Sequence, residues 1–104
     1  MNLTRISSGL AGNFPAASLE DAVKYAYDKN IVIVAAAGNY EPWESSDVWY
    51  PAAYDDYCLA VAATDDNDLR PSWSSFGPEV DVAAPGVDII SLVPTWFPAL
   101  RGCL

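Results

Sequence analysis

Two adjacent residues at the end of an apolar segment could do chemistry. Gly38 and Asn39 directly follow residues 31–37, which read IVIVAAA. In open parallel sheets ligands bind beyond the carboxyl ends of the strands, so an asparagine amide there can donate a hydrogen bond into a cleft. Gly-Asn after a strand is also an ordinary turn, because both residues tolerate left-handed backbone angles. Taken alone the turn is favoured, and a dinucleotide-binding loop is less favoured still, since no Gly-x-Gly-x-x-Gly follows.

A second candidate is the acidic cluster at residues 65–68, which reads Asp-Asp-Asn-Asp. Carboxylate oxygens are ligands that calcium prefers. The cluster lacks the glycine at loop position 6 and the distal glutamate of an EF-hand loop. The sequence therefore predicts a solvated turn here.

One helix and several short strands must position these residues. We expect a first strand over residues 2–6. Apolar residues from Leu19 to Tyr27 follow the i, i+3, i+4, i+7 spacing of an amphipathic helix, which predicts a helix over residues 18–29. Ser18 is the predicted N-cap of this helix, and the Asp21 side chain would accept a reciprocal hydrogen bond from the Ser18 amide. The helix is predicted to end at Asn30.

The remaining elements are apolar and too short for helices. Residues 31–37 are predicted to form a strand buried on both faces, as in parallel sheets. Residues 58–63 predict a second buried strand, and residues 80–83 a third, ended by Pro85-Gly86. A helix followed by a buried strand indicates the α/β class with a parallel sheet.

Composition limits the classes of function. The chain has 104 residues, 52% of them apolar and 18% charged, which favours one packed domain at most. Its net charge of −9 repels phosphate backbones, so we expect no nucleic-acid partner. No apolar run approaches the ~20 residues that span a bilayer, so we expect no membrane partner. With one helix to cover a parallel sheet, we expect exposed apolar surface and self-association.

The chain has two cysteines, Cys58 and Cys103. Cys58 lies in an apolar run, where a small buried thiol is the expected role. Cys103 lies next to the C-terminus in a segment that fits no pattern. We predict that the two do not form a disulfide.

Four short sequence motifs occur in a fixed order along the chain. They are IVIVAAAGN at residues 31–39, YPA at 50–52, SWSSFG at 72–77 and VDVAAPG at 80–86. This series resembles the middle-to-late part of the catalytic domain of subtilisin-like serine proteases, most strongly over residues 19–94, with a divergent tail over 95–104. The resemblance implies part of a three-layer α/β/α fold. It also implies an endopeptidase that cleaves polypeptides through an acyl-enzyme intermediate in the full protein, which we expect to be extracellular.

The resemblance assigns roles to residues near the end of the first buried strand. Asn39 would be the oxyanion-hole donor. One wall of the primary specificity pocket would be formed by Ala36, Ala37 and Gly38. Trp49 would lie at the pocket floor, where its bulk and that of Tyr40 would restrict the pocket. Packing of Trp49 against the Tyr50-Pro51 corner is an equally weighted alternative.

The resemblance also implies a weak cation site and no required cofactor. The ligands would be the carbonyls of Ala52, Tyr54 and Tyr57 and the carboxylate of Asp81. Oxygen ligands suit a hard cation, so the expected ion is weakly bound calcium or sodium. The alternative is that Asp81 only caps a loop.

Two departures from the family pattern bear on activity. The chain contains no histidine, and the family's serine motif would fall at Leu104 or just beyond. Ahead of the helix, residues 6–9 are a blurred version of the family's substrate-binding segment. Because this chemistry needs a nucleophile, a base and an orienting carboxylate, we expect the chain alone to be inactive. The alternative function is a non-catalytic remnant or a module that binds a peptide or partner chain by strand addition.

Overall fold

A computed structural model describes residues 5–92 of the chain. In chain order it contains β1 (Arg5–Ser8), α1 (Ala17–Asp28), β2 (Val32–Ala36), β3 (Cys58–Thr64) and β4 (Val80–Pro85). The four strands form one parallel sheet whose spatial order follows the chain, β1-β2-β3-β4. The predicted α/β class is confirmed. The divergent tail and Cys103 lie outside the described residues, within which no helix could cross a membrane.

The start of α1 differs from the prediction. The helix begins at Ala17, and its N-cap is Ala16, which makes no side-chain capping bond, rather than Ser18 with Asp21. The phenol of Tyr54 replaces the predicted cap: it accepts a hydrogen bond from the Ala16 amide and donates to the Ala16 carbonyl, both at 3.1 Å. A contact between distant segments therefore fixes the helix start, which a local pattern does not encode.

The end of α1 agrees with the prediction. Lys29 is the C-cap, and Asn30 follows with φ of 59°, in the left-handed region that asparagine tolerates. The Asn30 amide donates to the Tyr27 carbonyl at 2.9 Å. The chain then turns directly into β2.

The strand bounds shift by a few residues from those predicted. The first strand extends to Ser8 because Ser8 pairs with Ala35 of β2. The last two strands lengthen together, since Thr64 at the end of β3 pairs with Pro85 at the end of β4. Proline has no N–H to donate to a ladder, which suits its place at the edge of the sheet that residues 5–92 form.

The prediction that β2 is buried on both faces is wrong for the described residues. Alternate residues Ile33 and Ala35 are buried, but Val32 is 54% exposed and Val34 only half-buried. The face carrying Ile33 packs against Val23 and Ala26 of α1. Among residues 5–92, α1 is the one helix, so it covers one face of the sheet and leaves the other open.

Small side chains line the second half of the covered face. Its core comprises Ala35, Ala37, Val48, Ala52, Ala60 and Ala62. Alanines on neighbouring strands let the backbone of the segment at residues 48–53 approach the sheet closely, so that Ala52 is completely buried. This core places the β2–β3 connection beside the carboxyl end of β2.

Cys58 opens β3 as a buried side chain, in agreement with the sequence, and it forms no disulfide within residues 5–92. Burial raises the pKa of this thiol from 9.0 to about 11. The raised value favours the protonated form in the folded chain.

The Cys58 thiol predicts a loss of stability in alkaline solution. From about pH 9 to about pH 11 the unfolded chain has lost this proton and the folded chain keeps it, so the free energy of unfolding falls across that window. Urea unfolding at a series of pH values should show this fall in the native chain. It should be shallower in Cys58→Ala, which retains every other titrating group. Identical slopes for the two proteins would contradict the prediction.

Candidate active site

A cleft of about 400 Å³ lies at the carboxyl ends of the strands. Four of the residues assigned from the sequence line it together: Ala36, Ala37, Gly38 and Asn39. Its other walls come from the ends of β1, β3 and β4 and from Trp73 and Ser74. This is the sheet edge at which parallel α/β proteins hold their ligands.

Gly38 has a backbone conformation that requires glycine. Its φ is +110°, and a Cβ atom there would lie 2.6 Å from Cγ of Trp49. The Trp49 amide donates to the Ala37 carbonyl at 2.7 Å, which holds the indole against the glycine backbone. Trp49 lines a neighbouring cavity of about 490 Å³ rather than the cleft itself. The structure thus places Trp49 behind the wall that Gly38 forms.

Asn39 is exposed and its backbone is held on both sides. It pairs with Ser74 in an antiparallel bridge. The Tyr40 amide donates to the Trp73 carbonyl at 2.8 Å, and the Ser75 amide donates to the Gly38 carbonyl at 2.9 Å. With both neighbours fixed, the asparagine side chain projects from a constrained backbone at the rim of the cleft.

Ser74 anchors this pairing to the sheet, a role that the sequence analysis missed. The residue is 1% exposed, and its Oγ accepts a hydrogen bond at 2.9 Å from the amide of Ala63, near the end of β3. The available signal was a small polar residue within the SWSSFG motif, between two predicted strands. The bond itself depends on the tertiary fold.

This arrangement provides a neutral hydrogen-bond donor in a partly enclosed cleft. A pre-positioned amide can stabilise negative charge that develops on an oxygen during a reaction. Three serines, Ser7, Ser8 and Ser74, line the described cleft together with Asn39, but the chain has no histidine that could act as their base.

Comparison with known proteins identifies the family. The model of the Subtilase family matches residues 6–101. The chain belongs to the subtilase family. Thermitase of Thermoactinomyces vulgaris is 47% identical over 90 residues, which are 86% of this chain and 31% of thermitase. A thermophilic serine proteinase of Bacillus sp. (strain AK1) is 49% identical over 76 residues, which are 73% of this chain and 18% of that protein.

Subtilisin DY of Bacillus licheniformis is 44% identical over 91 residues, which cover 86% of this chain. The aligned part is 33% of that protein, so this subtilase chain spans about a third or less of the curated relatives named here. The four-stranded parallel sheet and its helix are accordingly part of a subtilisin-like α/β fold.

The residues assigned to a cation lie away from the cleft of this subtilase chain. Tyr57 and Asp81 line a separate cavity of about 480 Å³, but Oδ2 of Asp81 already accepts a hydrogen bond at 2.7 Å from the Ala60 amide. The Tyr54 carbonyl accepts from two amides, and Ala52 is fully buried. Residues 5–92 contain no group of three or more acidic or cysteine side chains able to hold a metal. Cation binding by these four residues stays a prediction.

The acidic cluster forms the solvated turn that the sequence predicts. Oδ1 of Asp65 accepts hydrogen bonds from the amides of Asn67 and Leu69, each at 2.9 Å. The aspartate side chain therefore folds back on its own loop, as in an Asx turn.

The Gly38 conformation predicts a large effect of a single methyl group. We expect Gly38→Ala to lower the free energy of unfolding by about 2–3 kcal/mol, because alanine is strained at this φ and its Cβ would overlap Trp49. Urea denaturation measures the change. Gly12→Ala is the matched control, since a Cβ there meets no atom within 4 Å. Equal stabilities for the two variants would show that Gly38 has no special conformation.

Proposed function

We propose that this chain is part of a subtilisin-like serine endopeptidase, with Asn39 as its oxyanion-hole donor. The observation that carries the proposal is the exposed Asn39 at the rim of the cleft, with hydrogen bonds fixing the residues on both sides. In the full protein a serine attacks the scissile carbonyl of a polypeptide and forms an acyl-enzyme. The Asn39 amide stabilises the negative oxygen of the tetrahedral intermediate.

The wall beside Asn39 belongs to the same proposal. Ala36, Ala37 and Gly38 line the cleft without any large side chain, which suits the side of a specificity pocket. Trp49 packs on Gly38 from behind and limits how far this wall can move back from the cleft. We infer that the enzyme prefers substrates with a small side chain before the scissile bond.

Catalysis also requires groups that this chain does not carry. A serine protease needs a base to accept the proton of its nucleophile, usually a histidine, and no histidine is present. We therefore propose that the chain is inactive alone and gains activity when the nucleophile and the base are supplied. No cofactor takes part in these steps, and any calcium or sodium would bind weakly.

A second candidate is a module that binds a peptide by strand addition. It is favoured by the two outer strands, since β1 and β4 each have one partner in the described sheet. An unpaired edge offers backbone N–H and C=O groups to an extended segment without needing any catalytic group.

Experiments on a hybrid enzyme distinguish between these two proposed functions. The chain replaces the segment that it matches in the thermophilic serine proteinase of Bacillus sp. (strain AK1), which supplies the remaining parts. We expect the hybrid to hydrolyse peptides. Asn39→Leu should lower its kcat by about 100- to 1,000-fold, the range established on subtilisin itself for loss of such a donor, with little change in KM.

The same exchange in the acidic turn, Asn67→Leu, is the control and should leave kcat unchanged, because Asn67 bonds only within its loop. A folded hybrid without activity, or an Asn39→Leu hybrid as active as the parent, would refute the proposed role. A folded, inactive hybrid that still binds peptides would favour the binding module.

The same hybrid tests the role of Trp49. We expect Trp49→Gly to raise kcat/KM for substrates with phenylalanine before the scissile bond, relative to alanine, by about 10- to 100-fold, since removing the indole frees space behind the Gly38 wall. Parallel assays on two matched peptides measure this ratio. Trp43→Gly, which removes an 80% exposed tryptophan from the same connection, should not change it. An unchanged ratio in Trp49→Gly would favour the alternative that Trp49 only packs at the Tyr50-Pro51 corner.

A further inference from the structure

Arg70 makes an unusual set of contacts for an exposed side chain. Its Nη1 donates a hydrogen bond to the Ser74 carbonyl at 2.8 Å and another to the Pro71 carbonyl at 3.1 Å. Its guanidinium carbon also lies 4.4 Å from the centroid of the Phe76 ring, within cation–π range. A planar guanidinium can satisfy these directions together, which a lysine ammonium cannot. Arg70 therefore holds both the backbone and a side chain of the segment that follows it.

Backbone hydrogen bonds connect Arg70 to the residues on both sides of Asn39. The Ser74 carbonyl that Arg70 binds lies between Trp73 and Ser75, whose carbonyl and amide bond to Tyr40 and Gly38. Ser74 itself is the residue paired with Asn39. The charge-assisted hydrogen bond from Arg70 thus fixes the middle of residues 73–75, the segment whose backbone bonds to Gly38 and Tyr40 on either side of Asn39.

Aromatic side chains form a second connection between Arg70 and the residue that follows Asn39. The Phe76 ring that lies under the guanidinium also packs against the Tyr40 ring, with centroids 6.3 Å apart. Tyr40 directly follows Asn39. Backbone hydrogen bonds and aromatic side-chain contacts therefore both connect Arg70 to the same three residues, 38–40.

We propose that Arg70 is a positioning residue for the Asn39 amide, an inference that rests on the proposed function. Arg70 does not touch the cleft, since it is absent from the residues that line it. A donor stabilises an oxyanion only when it lies at about 2.7–3.1 Å from the oxygen in the transition state, so small movements of its backbone matter. Loss of Arg70 would loosen the segment that sets this distance, without removing the donor itself.

The peptide-hydrolysing hybrid provides the test. We expect Arg70→Met, which keeps an unbranched apolar stem and removes every donor, to lower kcat by about tenfold with KM unchanged, below the roughly 100-fold that a 1 Å misplacement can produce. Arg70→Lys keeps the charge and one bonding direction, and should recover part of that loss. Lys29→Met is the matched control: Lys29 also lies over an aromatic ring, that of Tyr25, but at the C-cap of α1, and it does not line the cleft. It should leave kcat unchanged.

A double-mutant cycle distinguishes positioning from general stability. If Arg70 acts through Asn39, Arg70→Met should change kcat less than twofold in a hybrid that already carries Asn39→Leu, because no donor remains to be positioned. A full tenfold loss in that background, or no loss in the unmodified hybrid, would overturn the inference about Arg70. The second of these results leaves the proposed function intact. An inactive, folded parent hybrid would overturn the proposed function and, with it, the inference.

Discussion

The hydrogen-bonded pairing of residues 38–40 with residues 73–75 is the constraint on which the candidate site depends. It fixes the backbone on both sides of Asn39 and brings two distant connections to one edge of the sheet. The segment 73–75 is tied in turn to β3 through the buried hydroxyl of Ser74. A neutral donor becomes useful in catalysis when its position is settled before charge develops, and in the proposed function this pairing would provide that preorganisation.

Small residues make the pairing geometrically available. Alanines at the ends of β2 and β3 let the connection at residues 48–53 pack closely on the sheet, and Gly38 lets the chain turn where a Cβ would strike Trp49. The same packing is one-sided, because α1 covers one face of the sheet among the described residues. The chain spans about a third or less of its curated relatives, and the geometry of Asn39 is formed within that part.

Local sequence patterns predicted the features that have local causes. The apolar run before Gly38-Asn39 indicated β2, the helical spacing indicated α1, and the ordered motifs indicated the family. The helix start was predicted wrongly because the Tyr54 phenol, 38 residues away, replaces a side-chain cap. The prediction that β2 is buried on both faces was wrong because the apolar sequence of a strand does not specify which elements pack on each face of the sheet. The contacts of Ser74 and Arg70 could not be predicted, since they join residues whose proximity exists only in the folded chain.

A crystal structure of the hybrid enzyme with a peptide boronic acid bound to its nucleophile tests the central claim most directly. Such an adduct is tetrahedral and places an oxygen where the oxyanion would be. The account predicts the Asn39 side-chain nitrogen at about 2.7–3.1 Å from that oxygen, with the Gly38 and Tyr40 pairing intact. An Asn39 amide turned away from the cleft, with the oxygen facing solvent or another donor, would contradict it.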